Sequence, residues 1–222
     1  LFKLAVDTVG YGDFTRAKDA NYAFHAFGPY RADVPIPGLD QGAIMLVDSR
    51  DIASRVHISN DRNSWGFGGT IDVDAADHLG IRSINGYRES YRAGINDPAV
   101  TSFDAFGPTL TMEKARQFSQ ELQLNYSGDR LQGTAGLFYF SENVHAQLHV
   151  DFPFLGRVFH FQNPDPTYHE YGDLSVKSFA AFTQWTYEVV DDFRLTAGLR
   201  YSNEKRHSVG NLTVFTFMPP PN

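Results

Sequence analysis

The stretch between residues 174 and 205 constrains the fold more than any other, because apolar and polar side chains alternate along two long segments of it. The turn at 190–192 separates the two segments, and only Phe182 interrupts the alternation. The apolar side of the pair consists of Phe179, Ala181, Thr183, Trp185, Tyr187, Val189, Phe193, Leu195, Ala197, Leu199 and Tyr201. Because successive side chains of a strand point to opposite faces, this pattern predicts a β-hairpin with one apolar and one polar face.

The length of the two segments indicates where such a hairpin is stable. Both run beyond the five or six residues that are usual for strands of soluble proteins. A strand crosses a bilayer in ~9–11 tilted residues, and each segment is long enough to do so. Since the apolar face of a membrane barrel meets lipid and its polar face lines the lumen, we predict a transmembrane β-barrel hairpin.

The composition agrees with this interpretation. The chain has 222 residues, enough for one large all-β domain, and no run approaches the ~18 apolar residues of a transmembrane helix. Aromatic residues make up 14% of the chain, and barrels place such residues at both membrane interfaces. A net charge of −7, with no cluster of basic residues along the sequence, argues against a nucleic-acid partner. The absence of cysteine excludes disulfides and thiolate metal sites.

Two further hairpins show the same alternation, which makes the chain all-β with about seven antiparallel strands when a strand at 1–9 is included. Tight turns are predicted at one end of the sheet, at 74–77, 127–129 and 190–192. Long connections are predicted at the other end, at 10–64, 93–114 and 145–172. Soluble domains mostly have connections of ~4–6 residues, whereas outer-membrane barrels alternate short turns with long external loops.

The strand predicted from Leu79 to Tyr91 fits the alternation least well. Asn85 and Glu89 share a side with its apolar residues, and Ile84 falls on the side assigned to the lumen. Two explanations are open. Either a β-bulge shifts the register, or Glu89 lies beyond the membrane zone and Ile84 contacts something inside the barrel.

Neither end of the sequence resembles a natural terminus. Leu1 begins inside a strand-like segment without an initiator Met, and Asn222 follows three prolines. We therefore expect an internal fragment, an open arc of strands that belongs to a larger barrel.

Four sequence blocks resemble the β-barrel of TonB-dependent outer-membrane receptors, in the order that is typical of that family. They read IRSINGYR at 81–88, RQFSQELQL at 116–124, TAGLFYF at 134–140, and FAAFTQ at 179–184 followed by LTAGLRY at 195–201. The resemblance implies that residues 1–222 are part of one barrel domain of about 22 strands, located in the outer membrane of a Gram-negative bacterium. A plug domain and a TonB box are not visible in this sequence.

The function that this resemblance implies is energised uptake of a scarce solute. The implied partners are outer-membrane lipid, a small ligand of the siderophore, cobalamin or oligosaccharide class, and the TonB complex through an N-terminal region. A passive porin-like channel is an alternative with the same strands but no plug. A secreted soluble β-sheet binding protein is a further alternative, and its apolar faces would form a core.

The predicted connection at 145–172 contains the residues most suited to ligand capture, His145, His149, His160, His169, Phe159 and Tyr168. Aromatic rings stack on ligands, and histidine binds metals or oxyanions. A solvated loop whose aromatic side chains pack on one another is the alternative interpretation.

Glu142, His145 and His149 have a spacing that would bring them to one face of a helix. On a strand, Glu142 points away from the two histidines. No helix signal is present, so we expect no preformed metal site. No nucleophile–base pair occurs either, and the sequence predicts neither an enzyme nor a cofactor.

Charged residues fall on the side assigned to the lumen, namely Arg82, Arg88, Arg194, Arg200, Glu121, Glu142, Glu188 and Glu204. They would steer an anionic ligand, hold a plug, or form cross-strand ion pairs on a wet interior surface.

Overall fold

The structure, a computed structural model, describes residues 5–19, 56–97, 107–151 and 167–214. These residues form one sheet of seven strands in which neighbours in the chain pair antiparallel. The strands are β1 (Ala5–Asp19), β2 (Ser59–Ala76), β3 (Leu79–Asn96), β4 (Thr109–Ser127), β5 (Leu131–Asp151), β6 (Thr167–Val190) and β7 (Phe193–Val214). The all-β prediction of about seven antiparallel strands is confirmed. The sheet is open, because among the described residues β1 and β7 each pair with one strand only.

Three short turns join the strands in pairs at one end of the sheet. Residues 77–78 connect β2 to β3, residues 128–130 connect β4 to β5, and residues 191–192 connect β6 to β7. The first turn was predicted too early, because β2 continues through a bulge between Asp74 and Ala76. Asp192 has a φ of 68°, a left-handed conformation that aspartate adopts more readily than most residues.

At the end of the sheet away from the turns, the strands extend further than the sequence predicted. Residues 10–19 and 59–64 belong to β1 and β2, residues 93–96 and 109–114 belong to β3 and β4, and residues 145–151 and 167–172 belong to β5 and β6. The prediction of loops there is wrong, because the strands continue by backbone pairing after their apolar face has ended. The remaining parts of the three connections, at 20–55, 98–106 and 152–166, lie outside the described residues.

The register of β3 settles the question that its sequence left open. Pairing with β2 and with β4 is continuous from Gly80 to Ile95, so no bulge shifts this strand. Ile84 lies between Thr70 of β2 and Glu121 of β4 and is 38% exposed. Ile84 is therefore an apolar residue on the polar side of the sheet.

The register also divides the side chains into two faces, since directly paired residues share a face. The apolar face contains the even-numbered residues of β1 and β4 and the odd-numbered residues of the other strands. The polar face contains the rest. Trp185 and Glu188 lie on opposite faces, as predicted. That the apolar face meets lipid and the polar face lines the lumen stays a prediction.

The distribution of burial distinguishes the two faces. Within β2 to β6 every buried strand residue lies on the polar face; these residues are Gly66, Gly68, Gly94, Asn96, Val176 and Ala180. Large side chains of the apolar face stay exposed, for example Leu137 at 49%. Crowding on one face and exposure on the other fit an inner and an outer surface of a curved wall. Among the described residues no helix is long and apolar enough to span a membrane.

Candidate functional site

The apolar face contains an uncharged band of constant height. It occupies nine residues in every strand, at 6–14, 65–73, 79–87, 118–126, 131–139, 179–187 and 193–201, and no residue that these ranges place on the apolar face is charged. A strand of nine residues is about 30 Å long. At a barrel tilt of ~35–45° it rises about 21–24 Å, which matches the ~25 Å apolar band of membrane barrels.

The end of this band that lies away from the turns is aromatic in all seven strands. The residues at this end form what we call the aromatic row: Phe14, Trp65, Tyr87, Phe118, Tyr139, Phe179 and Tyr201. Some of the rings contact each other, with centroids 5.4 Å apart for Trp65 and Tyr87 and 6.3 Å apart for Phe118 and Tyr139. Aromatic side chains accumulate where a membrane protein passes from lipid to water. The aromatic row therefore has the position of one interfacial girdle.

Two residues beyond the aromatic row, the same face becomes polar in every strand. The residues there are Arg16, Asn63, Glu89, Arg116, Ser141, Lys177 and Asn203. Glu89 forms an ion pair with Arg116 at 2.9 Å and accepts a hydrogen bond from the Tyr87 hydroxyl at 2.5 Å. Glu89 thus lies beyond the band, as the second explanation for β3 required.

Cross-strand ion pairs account for half of the predicted charges on the polar face, namely Arg82, Arg88, Arg194 and Glu188. Arg82 binds Asp72 at 2.6 Å, and Arg194 binds Glu188 at 3.1 Å. Both pairs join residues that are directly opposite in the register. Exposed pairs of this kind each contribute about 0–1 kcal/mol. They make a hydrated, locally neutral wall.

Arg88 forms a longer connection, which a glycine makes possible. Its guanidinium reaches from β3 across β2 to Asp13 of β1, at 3.0 Å. Gly66 lies between them in the register, and a Cβ at this position would be 2.9 Å from the carbonyl oxygen of Tyr87. The missing side chain of Gly66 leaves space for the arginine. The ion pair between Arg88 and Asp13 then links three strands.

Aromatic rings cover glycines at three directly paired positions, and one of these pairs explains the exception in the sequence pattern. Tyr11 covers Gly68, Trp185 covers Gly133, and Phe182 covers Gly136. The Arg200 guanidinium lies 5.8 Å from the centroid of the Phe182 ring, a distance at which a cation–π attraction operates. Phe182 therefore breaks the alternation because its ring packs along the polar face.

We expect Gly136→Val to destabilise the sheet by about 1–3 kcal/mol, because overpacking has a cost of this size. A Cβ at Gly136 would lie 2.4 Å from Phe182 Cζ and 3.0 Å from the carbonyl oxygen of Leu122. Urea unfolding of the intact protein in neutral micelles measures the effect. Phe182→Ala should relieve part of it in the double variant. Gly172→Val is the control, since its nearest contact would be 3.9 Å away; an equal loss there would contradict the ring-contact explanation.

The residues predicted to capture a ligand do not form one loop. His145 and His149 lie in β5, and Tyr168 and His169 lie in β6. Phe159 and His160 lie outside the described residues. The prediction of a loop is wrong for the four described residues, because the strands extend past the band.

Two of the described histidines form a pair, and the third is paired with an aspartate. His149 and His169 are directly opposite with ring centroids 5.7 Å apart, and His145 Nδ1 lies 2.6 Å from the carboxylate of Asp173. All three histidines are on the side of the apolar face, beyond the aromatic row. Tyr168 is on the polar face and donates a hydrogen bond to Glu170 at 2.8 Å. This bond, outside the band, raises the pKa of the Tyr168 phenol above its ordinary value.

The strand geometry separates the residues with metal-like spacing. Glu142 lies on the polar face, opposite in direction to His145 and His149, and accepts a hydrogen bond from Gln117 at 2.5 Å. In the part of the chain that the structure describes, no three His, Cys, Asp or Glu side chains are grouped so as to hold a metal ion.

An uncharged apolar band, an aromatic row and an ion-paired opposite face are the features of the wall of a membrane β-barrel. A family model described as "TonB dependent receptor-like, beta-barrel" matches residues 3–219. The chain belongs to this family, as the four sequence blocks predicted. The family is one of transport proteins rather than enzymes. Searches of curated proteins and of solved structures gave no match.

Proposed function

We propose that this chain is part of the wall of an outer-membrane receptor that takes up a scarce solute in a TonB-dependent step. The observation that carries the proposal is the nine-residue uncharged band, which runs through all seven strands and ends in the aromatic row. Contact with the hydrocarbon of a bilayer is favourable for such a band, whereas its exposure to water is unfavourable. Membership of the TonB-dependent receptor-like family supports the energised step.

In this proposal the seven strands contribute to a larger barrel. Seven is below the ~8 strands of the smallest closed barrels, and the family resemblance suggests about 22. The plug domain and the segment that binds the TonB complex would belong to the same receptor. The polar face, with its cross-strand ion pairs, would line the lumen around the plug.

The proposed solute is a ferric siderophore, with cobalamin and oligosaccharides as further members of the class. The orientation of the strands restricts which of the predicted contacts can serve it. Tyr168 is on the proposed inner face and is accessible to a solute that enters the barrel. His145, His149 and His169 are on the outward side. We therefore assign a solute contact first to Tyr168, with Phe159 and His160 as candidates in the adjoining connection.

Uptake by intact cells tests the energised step. Cells that carry or lack the gene are compared for accumulation of labelled ferric siderophores, cobalamin and oligosaccharides, with and without a functional TonB complex. The proposal expects accumulation of one solute that disappears when either the gene or TonB is removed. Entry that depends on the gene but not on TonB would contradict it and would establish the porin-like alternative.

A further inference from the structure

The outward side of the sheet carries a group of basic residues immediately beyond the aromatic row. We call Lys114 and Arg116 of β4, Lys177 of β6 and Lys205 of β7 the basic row. All four share the apolar side by register, and all four side chains are exposed. Adjacent strands lie about 4.8 Å apart, so the basic row extends over about 15 Å from β4 to β7.

The pairing of Lys177 with Lys205 is the most informative part of this row. The two lysines are directly opposite across β6 and β7, where Cβ atoms are about 4.5–5.5 Å apart and like charges destabilise a sheet. Within the described ranges neither lysine has an ion-pair partner. An anion that binds both ammonium groups would remove this repulsion.

Acidic residues on the same side of β3 to β7 are few and already engaged, and one of them, Asp151, is paired with His149. Glu89 is held by Arg116 and Tyr87 and is also attracted by Lys114, and Asp173 is bonded to His145. A groove of about 410 Å³ runs between these groups, with Lys114, Arg116 and His207 among its lining residues. On the opposite face of β7, Arg206 is paired with Glu204 at 2.6 Å. Among the described residues beyond the aromatic row of β6 and β7, the lysine and arginine charges without an acidic partner therefore lie on the outward side.

We propose that the basic row binds the phosphate groups of an anionic lipid in the membrane around the barrel. The inference rests on the membrane placement proposed above, which puts the aromatic row at the interface and the basic row at headgroup height. Lysine offers a point charge for phosphate and arginine a planar fork. The lipid tails would lie along the uncharged band below. Free phosphate can reach any height of either face, whereas the phosphate of a lipid is present only at headgroup height on the outward side. The position of the basic row therefore favours lipid.

Binding of lipid to the intact protein in neutral dodecyl maltoside micelles tests the inference. The probes are fluorescent phosphatidic acid, fluorescent phosphatidylcholine and inorganic phosphate. We expect Lys177→Gln/Lys205→Gln to weaken phosphatidic acid binding by about thirtyfold, since each of the two basic residues near an anionic surface contributes about 1 kcal/mol. Phosphatidylcholine binding should not change. For single substitutions, Lys205→Gln is compared with Arg206→Gln, which removes the same charge one residue away on the other face.

The possible results separate this inference from the membrane placement itself. Equal affinity of all variants for phosphatidic acid, or an equal loss in Arg206→Gln, would overturn the basic row as a lipid site. Displacement of the lipid by inorganic phosphate but not by sulfate of equal ionic strength would also overturn it, in favour of a free-phosphate site. Folding in neutral micelles is recorded separately by heat-modifiable electrophoretic mobility. Failure to fold there would contradict the membrane placement, whereas folding without lipid preference contradicts only the basic row.

Discussion

Replacement of Leu122 by arginine is expected to prevent assembly of the protein in membranes. Leu122 lies at the centre of the β4 part of the band and is 46% exposed. An arginine on the lipid face near the middle of the bilayer costs about 2–4 kcal/mol, a large share of the 5–15 kcal/mol that stabilises a typical protein. The measurement is the fraction of refolded protein with heat-modifiable electrophoretic mobility in phosphatidylcholine vesicles.

Gln123→Arg is the matched control for this substitution. Gln123 is the next residue along β4, at nearly the same depth, but on the polar face beside Glu121. An arginine there can be hydrated, so we expect a change within about 0.5 kcal/mol. If both variants assemble equally well, the apolar face does not meet lipid and the proposed membrane placement fails.

The 222-residue chain by itself is expected to aggregate unless detergent is present. Large side chains of the apolar face, such as Leu199 at 75% exposure, have no partner in the described sheet. Among the described residues β1 and β7 each have a neighbouring strand on one side only, so their other edges offer backbone N–H and C=O groups to other chains. Size-exclusion chromatography with and without dodecyl maltoside measures the difference, which should be nearly all-or-none.

A sharp monomeric peak in water, with cooperative thermal unfolding, would contradict this expectation. It would mean that the apolar face is covered by other parts of the same chain. The secreted β-sheet binding protein would then become the better description of the molecule.

The period-two pattern was sufficient to predict the strands, their order and the sharing of faces. It succeeded because a shift of one residue would move charges such as Glu188 onto the apolar face, into the place of Tyr187. The pattern was less informative for β3, where the polar Asn85 lies on the apolar face and the apolar Ile84 lies on the polar face. Only the register with β2 and β4 shows that the strand is regular there.

Three further features could not be read from single strands. The ends of β5 and β6 were predicted as a loop because their histidines and acidic residues do not alternate with apolar ones, although backbone pairing continues to Asp151 and Thr167. The aromatic row has a signal in the sequence, an aromatic residue at the same end of each alternating segment. That signal becomes recognisable once the register aligns the seven strands. The pairing of Phe182 with Gly136 likewise requires the register, because the two residues are 46 positions apart.

The length of the strands beyond the aromatic row determines where a solute first meets this protein. In β5 the residues 140–151 continue past Tyr139, which corresponds to about 40 Å of strand and, at ~45° tilt, a height of about 28 Å. In the proposed placement this height is close to the thickness of the hydrocarbon core itself. The entrance to the lumen would then lie about 28 Å beyond the aromatic row, well outside the headgroups. A large extracellular molecule could bind the rim of the barrel there without displacing any lipid.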